Sequence, residues 1–278
     1  MLRFDRLLTL YCSNPLRKLS SAKSPAIPVL MYHSISEAEE RVHPYYRINT
    51  RPNVFADHMR FLATQGYKAV SLQDLIDKEP DDKNVVITFD DGFSDFYFKA
   101  FPILKEYNFR AIVFLATAYV GGEPFNGRHC LNWEQVRELH AAGIMFGSHT
   151  HAHQHLSELT RSEIIRELRQ SKSIIEDRLG SEVTDFSYPY RFPEENKAFK
   201  GFIGEELVNA GYTRGVTTVI GRYRTGDDKM FLKRLPANSA DDEALLDAKL
   251  KGGYDWLRLP QYMIKRVRSV FYWQIAHG

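Results

Sequence analysis

Short apolar runs bounded by Gly, Pro, Asn or Asp recur along the chain, and between them apolar residues return every three or four positions. That alternation predicts parallel strands covered by amphipathic helices. The strand candidates are 28–32, 67–70, 85–89, 110–115, 144–148, 185–188 and 213–218, and the helix candidates are 54–65, 72–77, 96–107, 133–142, 161–179 and 196–210. The helices 161–179 and 196–210 run into glycines, Gly180 and Gly211, where a left-handed C-cap costs least. In the longest, Ile164, Ile165, Leu168, Ser171, Ile175 and Leu179 keep a period near 3.6 and mark a core-facing side. No internal repeat or low-complexity linker interrupts the pattern. One α/β domain of the barrel kind, which uses about 200–250 residues, fits better than two domains.

Composition narrows this only slightly: 44% hydrophobic and 26% charged residues among 278 exclude disordered, collagen-like and disulfide-scaffold proteins. Charge is more informative. Residues 1–25 and 251–278 each carry a net +4, so the overall +2 hides a body of −6. An acidic body argues against nucleic acid as a partner. The best N-terminal apolar run, 7–12, is too short for a cleaved signal, and no stretch reaches the roughly 18 apolar residues of a spanning helix. With only Cys12 and Cys130, no disulfide framework is expected; the expectation is a cytoplasmic protein.

Barrels carry their chemistry at the C-terminal ends of strands, and three strand candidates end conspicuously. The first candidate, 28–32, is followed by His33-Ser34, and 85–89 by Asp90-Asp91-Gly92. The run 144–148 leads into His149, His151, His153 and His155. Adjacent carboxylates can divide cation binding from proton transfer, although Asp-Gly is also a common turn. His149 and His153 would share a face if their loop wound into a helical turn, whereas a strand-like segment would align all four. Two His and one carboxylate make the open ligand set of a hydrolytic divalent-metal site.

Three segments, Thr88-Phe89-Asp90-Asp91-Gly92, His149-Thr150-His151-Ala152-His153 and Phe186-Ser187-Tyr188-Pro189-Tyr190, together resemble the successive motifs of the polysaccharide deacetylases, the NodB-homology or carbohydrate esterase family 4 group. The resemblance spans roughly residues 27–238. It implies a single-domain, distorted (β/α)7 barrel and hydrolysis of N-acetyl groups on amino sugars. It makes Asp91, His149 and His153 ligands of a divalent metal, with zinc as first choice and cobalt, nickel or manganese also suited. Asp90 becomes the general base, and the backbone N–H of Tyr190, after Pro189, an oxyanion donor; His151 and His155 match no ligand position. Leu30-Met31-Tyr32-His33-Ser34 is similar to the permuted subgroup of poly-N-acetylglucosamine deacetylases, and that makes His33 the general acid.

Two departures follow. Many relatives start the third motif with an Arg that orients the base, whereas this chain has Asp185-Phe186-Ser187. Arg234, on an apparent late strand 231–236, is expected to take that role; the alternative is a surface Arg at the barrel rim. Arg191 stands where many relatives have Gly. Tyr188, Pro189 and Arg191 are expected to contact substrate, with Tyr45, Tyr46, Phe93, Phe125 and Tyr190 as further candidate walls. Besides N-acetyl hydrolysis on a polysaccharide or its lipid- or nucleotide-linked precursor, the residues leave open a deformylase or other amidase, and a glycan-binding barrel without catalysis.

The expected organisation is a basic extension at 1–25, the catalytic barrel at 26–240 and a basic, aromatic C-terminal extension at 241–278. In the last, Trp256, Leu257, Leu259, Tyr262, Met263, Ile264, Val267, Val270, Phe271, Tyr272 and Trp273 interleave with Lys265, Arg266 and Arg268. Such a stretch over 256–278 can lie in a membrane interface and hold the barrel peripherally at the inner membrane face. The alternative is a helix packing its apolar side on the barrel with its charges in water. The oligomeric state is not legible.

Overall fold

Alternation decides which side chain goes where in a closed sheet. The computed structural model describes residues 3–19 and 25–266, and these hold ten strands. They are β1 (Val29–Tyr32), β2 (Ser34–Ile35), β3 (Asn49–Thr50), β4 (Lys68–Ala69), β5 (Asn84–Phe89), β6 (Ile112–Leu115), β7 (Met145–Ser148), β8 (Asp185–Ser187), β9 (Arg214–Ile220) and β10 (Leu232–Pro236). Seven of them close a parallel ring in the order β1-β10-β9-β8-β7-β6-β5, with β5 returning to β1 through Val29↔Val86 to Tyr32↔Phe89. The fold is thus the (β/α)7 barrel that the resemblance implies.

One member of the ring differs from expectation. The run at 67–70 yields only β4, which pairs with the first residues of β5 outside the ring. The seventh place belongs to β10, the late strand whose Lys233 and Arg234 interrupt its apolar pattern.

Val29, Val86, Ile112, Phe114, Val216 and Leu232 form one apolar cluster, while Leu30, Ile87, Val113, Phe186 and Leu235 join a larger one with helix residues such as Leu62, Leu139, Leu168 and Leu207. The first is the barrel lumen and the second the layer between strands and helices, since successive strand residues point to opposite faces. The lumen parity continues beyond the apolar residues to Thr88, Asp90, Ser187 and Arg234.

The long helix Arg161–Leu179 follows its sequence pattern closely. Thr160 and Glu163 form a capping box, Gly180 ends it at φ 65°, and Ile164, Leu168, Ser171 and Ile175 are buried. A helix absent from the sequence reading, Glu243–Leu250, is capped by Asp242 and buries Leu245, Leu246, Ala248 and Leu250. Residues 243–250, counted above with the C-terminal extension, therefore belong to the core layer.

Gly147 of β7 shows how tightly the site's support is built. A Cβ there would lie 2.6 Å from Phe114 ring atoms and 2.8 Å from the Asp185 carbonyl oxygen. A Gly147→Ala variant is expected to lose about 1–3 kcal/mol to overpacking, seen as a lower midpoint in thermal unfolding.

Candidate active site

β1 and β5 end side by side, and the Asp90 N–H donates to the Tyr32 carbonyl at 3.0 Å. This brings His33 opposite Asp90, with His33 Nε2 3.9 Å from Asp90 Oδ2. Arg234 reaches the same carboxylate from β10, donating to Oδ1 at 2.7 Å and to Oδ2 at 2.6 Å. Its remaining N–H groups donate to the Thr217 carbonyl, Thr88 Oγ1 and Ser187 Oγ at 3.0, 3.1 and 3.1 Å. All five donors of a fully buried guanidinium are thus used,. Arg234 is no surface residue; it clamps Asp90 in the bidentate geometry that fixes a carboxylate best. Ser187, which the sequence reading passed over, donates to Asp90 Oδ1 at 3.1 Å. Burial by itself raises the Asp90 carboxyl, but the Arg234 guanidinium beside it prevails and holds the group below its ordinary value.

Asp91, His149 and His153 meet beside this pair. All three are buried, with one ligand atom from each within 4.8 Å of the others. Asp91 sits in left-handed backbone at φ 72°. Its Oδ1 lies 3.4 Å from His149 Nε2 and 3.2 Å from His153 Nε2, and it accepts no well-formed hydrogen bond. The two imidazoles converge without a helical turn and without strand alignment. Thr150 and His153 adopt φ 66° and 51°, and the His153 N–H donates to Thr150 Oγ1 at 3.0 Å. His149 Nδ1 donates to the Ser187 carbonyl at 2.8 Å, which leaves the Nε2 lone pair facing Asp91,. Burial raises the Asp91 carboxyl, yet the adjoining imidazoles prevail and hold it far below the carboxylate range. An orphaned buried carboxylate oxygen facing two imidazole nitrogens is what a divalent cation would satisfy; the residues fit the implied metal.

His151 and His155 lie apart from this cluster. His151 Nδ1 is 2.9 Å from Thr117 Oγ1, and His155 stacks on Tyr190 with ring centroids 3.7 Å apart. Tyr190 itself adopts φ 56°, and Thr218 Oγ1 donates to its carbonyl at 3.1 Å. Among the described residues its N–H has no hydrogen-bond acceptor. His33 is largely enclosed; burial holds its imidazole below the ordinary value against the pull of Asp91 and Asp90.

His33, Asp90, Asp91, His149, His153 and Tyr190 line a cleft of about 750 Å³ together with Tyr46, Phe125, Asn126 and Arg191. Tyr188 is not among them. It shares the outward parity of Phe186 and packs on Phe186, Phe192 and Phe231, buried in the strand–helix layer. Pro189 is likewise buried and off the cleft wall. Phe93 lies behind Phe125, stacked at 6.1 Å. Arg191 does reach the cleft, where it pairs with Glu195 at 3.1 Å.

One wall was missed altogether. Leu257, Pro260, Gln261, Ile264 and Lys265, assigned above to an extension, border the same cleft. Gln261 fastens them, accepting from the Ile220 N–H and donating to the Thr218 carbonyl, both at 3.0 Å. Lys265 donates to the Phe192 carbonyl at 3.0 Å. Their only local signal is the i, i+4 spacing of Gln261 and Lys265.

The polysaccharide deacetylase family profile matches residues 77–201. YxkH of Bacillus subtilis (strain 168), which carries a polysaccharide deacetylase name, is 34% identical over 209 residues, covering 73% of this chain and 68% of its own. The chain belongs to the polysaccharide deacetylase family. As a family member it is a hydrolase of amide C–N bonds. It is also 24% identical over 206 residues to the poly-β-1,6-N-acetyl-D-glucosamine N-deacetylase of Staphylococcus aureus (strain MRSA252), covering 66% of this chain and 71% of that one. Two solved structures share its fold. The Streptococcus pyogenes deacetylase PplD in complex with acetate superposes with a TM-score of 0.71 at 24% identity, over 82% of this deacetylase and 99% of that chain. IcaB from Ammonifex degensii gives 0.69 at 23% identity over 82% and 97%.

Proposed function

We propose that this deacetylase removes N-acetyl groups from a β-linked N-acetylglucosamine polymer or its precursor, using a divalent cation held by Asp91, His149 and His153. The observation that carries this reading is a carboxylate locked by Arg234 beside a buried Asp-His-His cluster whose Asp91 Oδ1 has no hydrogen-bond partner, with His33 close by at the same cleft. Similarity to the staphylococcal poly-N-acetylglucosamine enzyme supports the choice of sugar.

A cation in that cluster would supply Lewis-acid polarisation of an amide carbonyl and acidify a water molecule. The chain's own groups do the rest. Asp90, held ionised by Arg234, takes a proton from water as its oxygen adds to the acetyl carbon. The Tyr190 N–H donates to the oxygen that becomes negative. As the C–N bond breaks, His33 delivers its proton to the amine nitrogen, a poor leaving group unless protonated. Acetate and a free amino sugar result. Tyr46, Phe125 and Tyr190 offer flat apolar faces to the sugar rings.

Elemental analysis of the purified chain, coupled to acetate release from N-acetylglucosamine oligomers, tests this. The expected result is a bound divalent metal and acetate release that chelation abolishes and added metal restores. Formate alone would mark a deformylase, and no metal-dependent release from any amide would mark a glycan-binding barrel. A His33→Ala variant is expected to keep its fold and metal while kcat falls about 10²–10⁴-fold; near-normal kcat would remove His33 from the mechanism.

A further inference from the structure

Both terminal segments dock with their polar sides inward. Phe4, Leu7, Leu8 and Tyr11 recur at i, i+3, i+4 and i+7, the spacing of a core-facing helical stripe. Here the stripe faces solvent, with the four side chains 67%, 39%, 43% and 71% exposed. Polar residues from the same segment make the contacts to the body: Thr9 is fully buried, accepting from Trp256 Nε1 at 3.1 Å, and Asp5 accepts from the Tyr254 hydroxyl at 2.9 Å. The segment at 258–266 repeats this inversion. Gln261 and Lys265 turn to the barrel, while Leu259 and Met263 are 67% and 50% exposed. The two hydrogen bonds to Tyr254 and Trp256 make these segments neighbours, and Asp5 and Ile264 border the catalytic cleft. Residues 267–278 lie outside the described residues.

Solvent-facing apolar stripes on soluble helices are costly unless something covers them. Charge selects the occupant. Exposed Arg258 and Arg266 accompany the stripes, with half-buried Arg6 paired to Asp242 at 2.6 Å, and residues 1–25 and 251–278 each carry a net +4. A second copy would bring like charges together, whereas an anionic lipid surface meets apolar and basic groups at once. No helix among the described residues is long and apolar enough to cross a membrane.

We infer that the paired terminal segments form a platform that lies on an anionic bilayer, with the catalytic cleft opening beside it. The consequence for substrate, which rests on the deacetylase reading above, is a glycan held close to that bilayer.

The test is sedimentation of the full chain with vesicles of phosphatidylglycerol and phosphatidylethanolamine, or of phosphatidylcholine alone, alongside light scattering. The chain is expected to bind the anionic vesicles, and binding should weaken as salt screens the arginines. Leu8→Ser/Tyr11→Ser and Leu259→Ser/Met263→Ser variants should each bind about tenfold or more weakly. Their acetate release from soluble oligomers and their thermal midpoints should match the parent, so failure of the platform is separable from failure of the catalytic reading. Equal vesicle binding by the variants overturns the inference. So does a dimer that these variants dissolve, which puts a second copy on the stripes. A monomer that ignores both vesicles, as expected were residues 267–278 to cover the face, overturns it too.

Discussion

An Asp90→Asn variant is expected to keep its metal and lose about 10²–10⁴-fold in kcat, the usual worth of a positioned general base. Metal retention follows from geometry, because the Asp-His-His cluster uses Asp91 and not its neighbour. Loss of turnover follows from chemistry, because an amide cannot accept the proton that water must surrender. The paired control is Asp91→Asn, which should lose the metal and thereby the activity. Elemental analysis of the two variants separates the roles. An Asp90→Asn protein purified without metal would reverse the division between the two carboxylates, and one with parental kcat would place the base elsewhere. Asp90→Asn also leaves Arg234 with a neutral partner, so its thermal midpoint should fall; turnover is therefore measured well below that midpoint.

How much of this arrangement the chain discloses depends on the range of the contact. Asp90, Asp91 and His149 were legible because each stands where an apolar strand run stops, which is where barrels expose chemistry. His33 was legible for the same reason, whereas His153 was set apart from His151 and His155 only by the family resemblance. Tyr188 was misplaced although its parity was available: Ser187 lies between Phe186 and Tyr188, so Ser187 faces the lumen when its neighbours face the helices. The turn that brings His153 to His149 rests on two left-handed non-glycine residues, and no helical or strand period announces such backbone. The late strand β10 was not counted in the ring because one of its lumen residues, Arg234, is charged, and the carboxylate that pays for burying it lies 144 positions away. The same holds for the wall at 257–265. Gln261 bonds two backbone groups near residue 219, and side chain to backbone contacts leave no trace in hydrophobic periodicity.

The Arg234–Asp90 pair also governs stability, and removing its cationic half has the larger structural consequence. Arg234→Met leaves a carboxylate buried without its counter-charge, a change that typically costs about 3–5 kcal/mol. The Thr217 carbonyl, Thr88 Oγ1 and Ser187 Oγ lose donors as well. The expected result is a much lower midpoint in chemical unfolding, together with a kcat drop as large as that of Asp90→Asn. Arg234→Lys should recover part of the stability but little of the turnover, since an ammonium supplies charge without the fork that fixes both carboxylate oxygens. The pH dependence carries its own sign. Because the folded state holds the Asp90 carboxyl below its ordinary value, its contribution is complete above the unfolded carboxylate pKa and disappears as pH falls through the lower folded one. The stability gap between parent and Arg234→Met should therefore be wide near neutral pH and narrow in acid, where protonation removes the buried charge. A gap that stayed constant with pH would mean that Arg234 supports the barrel through packing alone, and that Asp90 owes its position to Ser187.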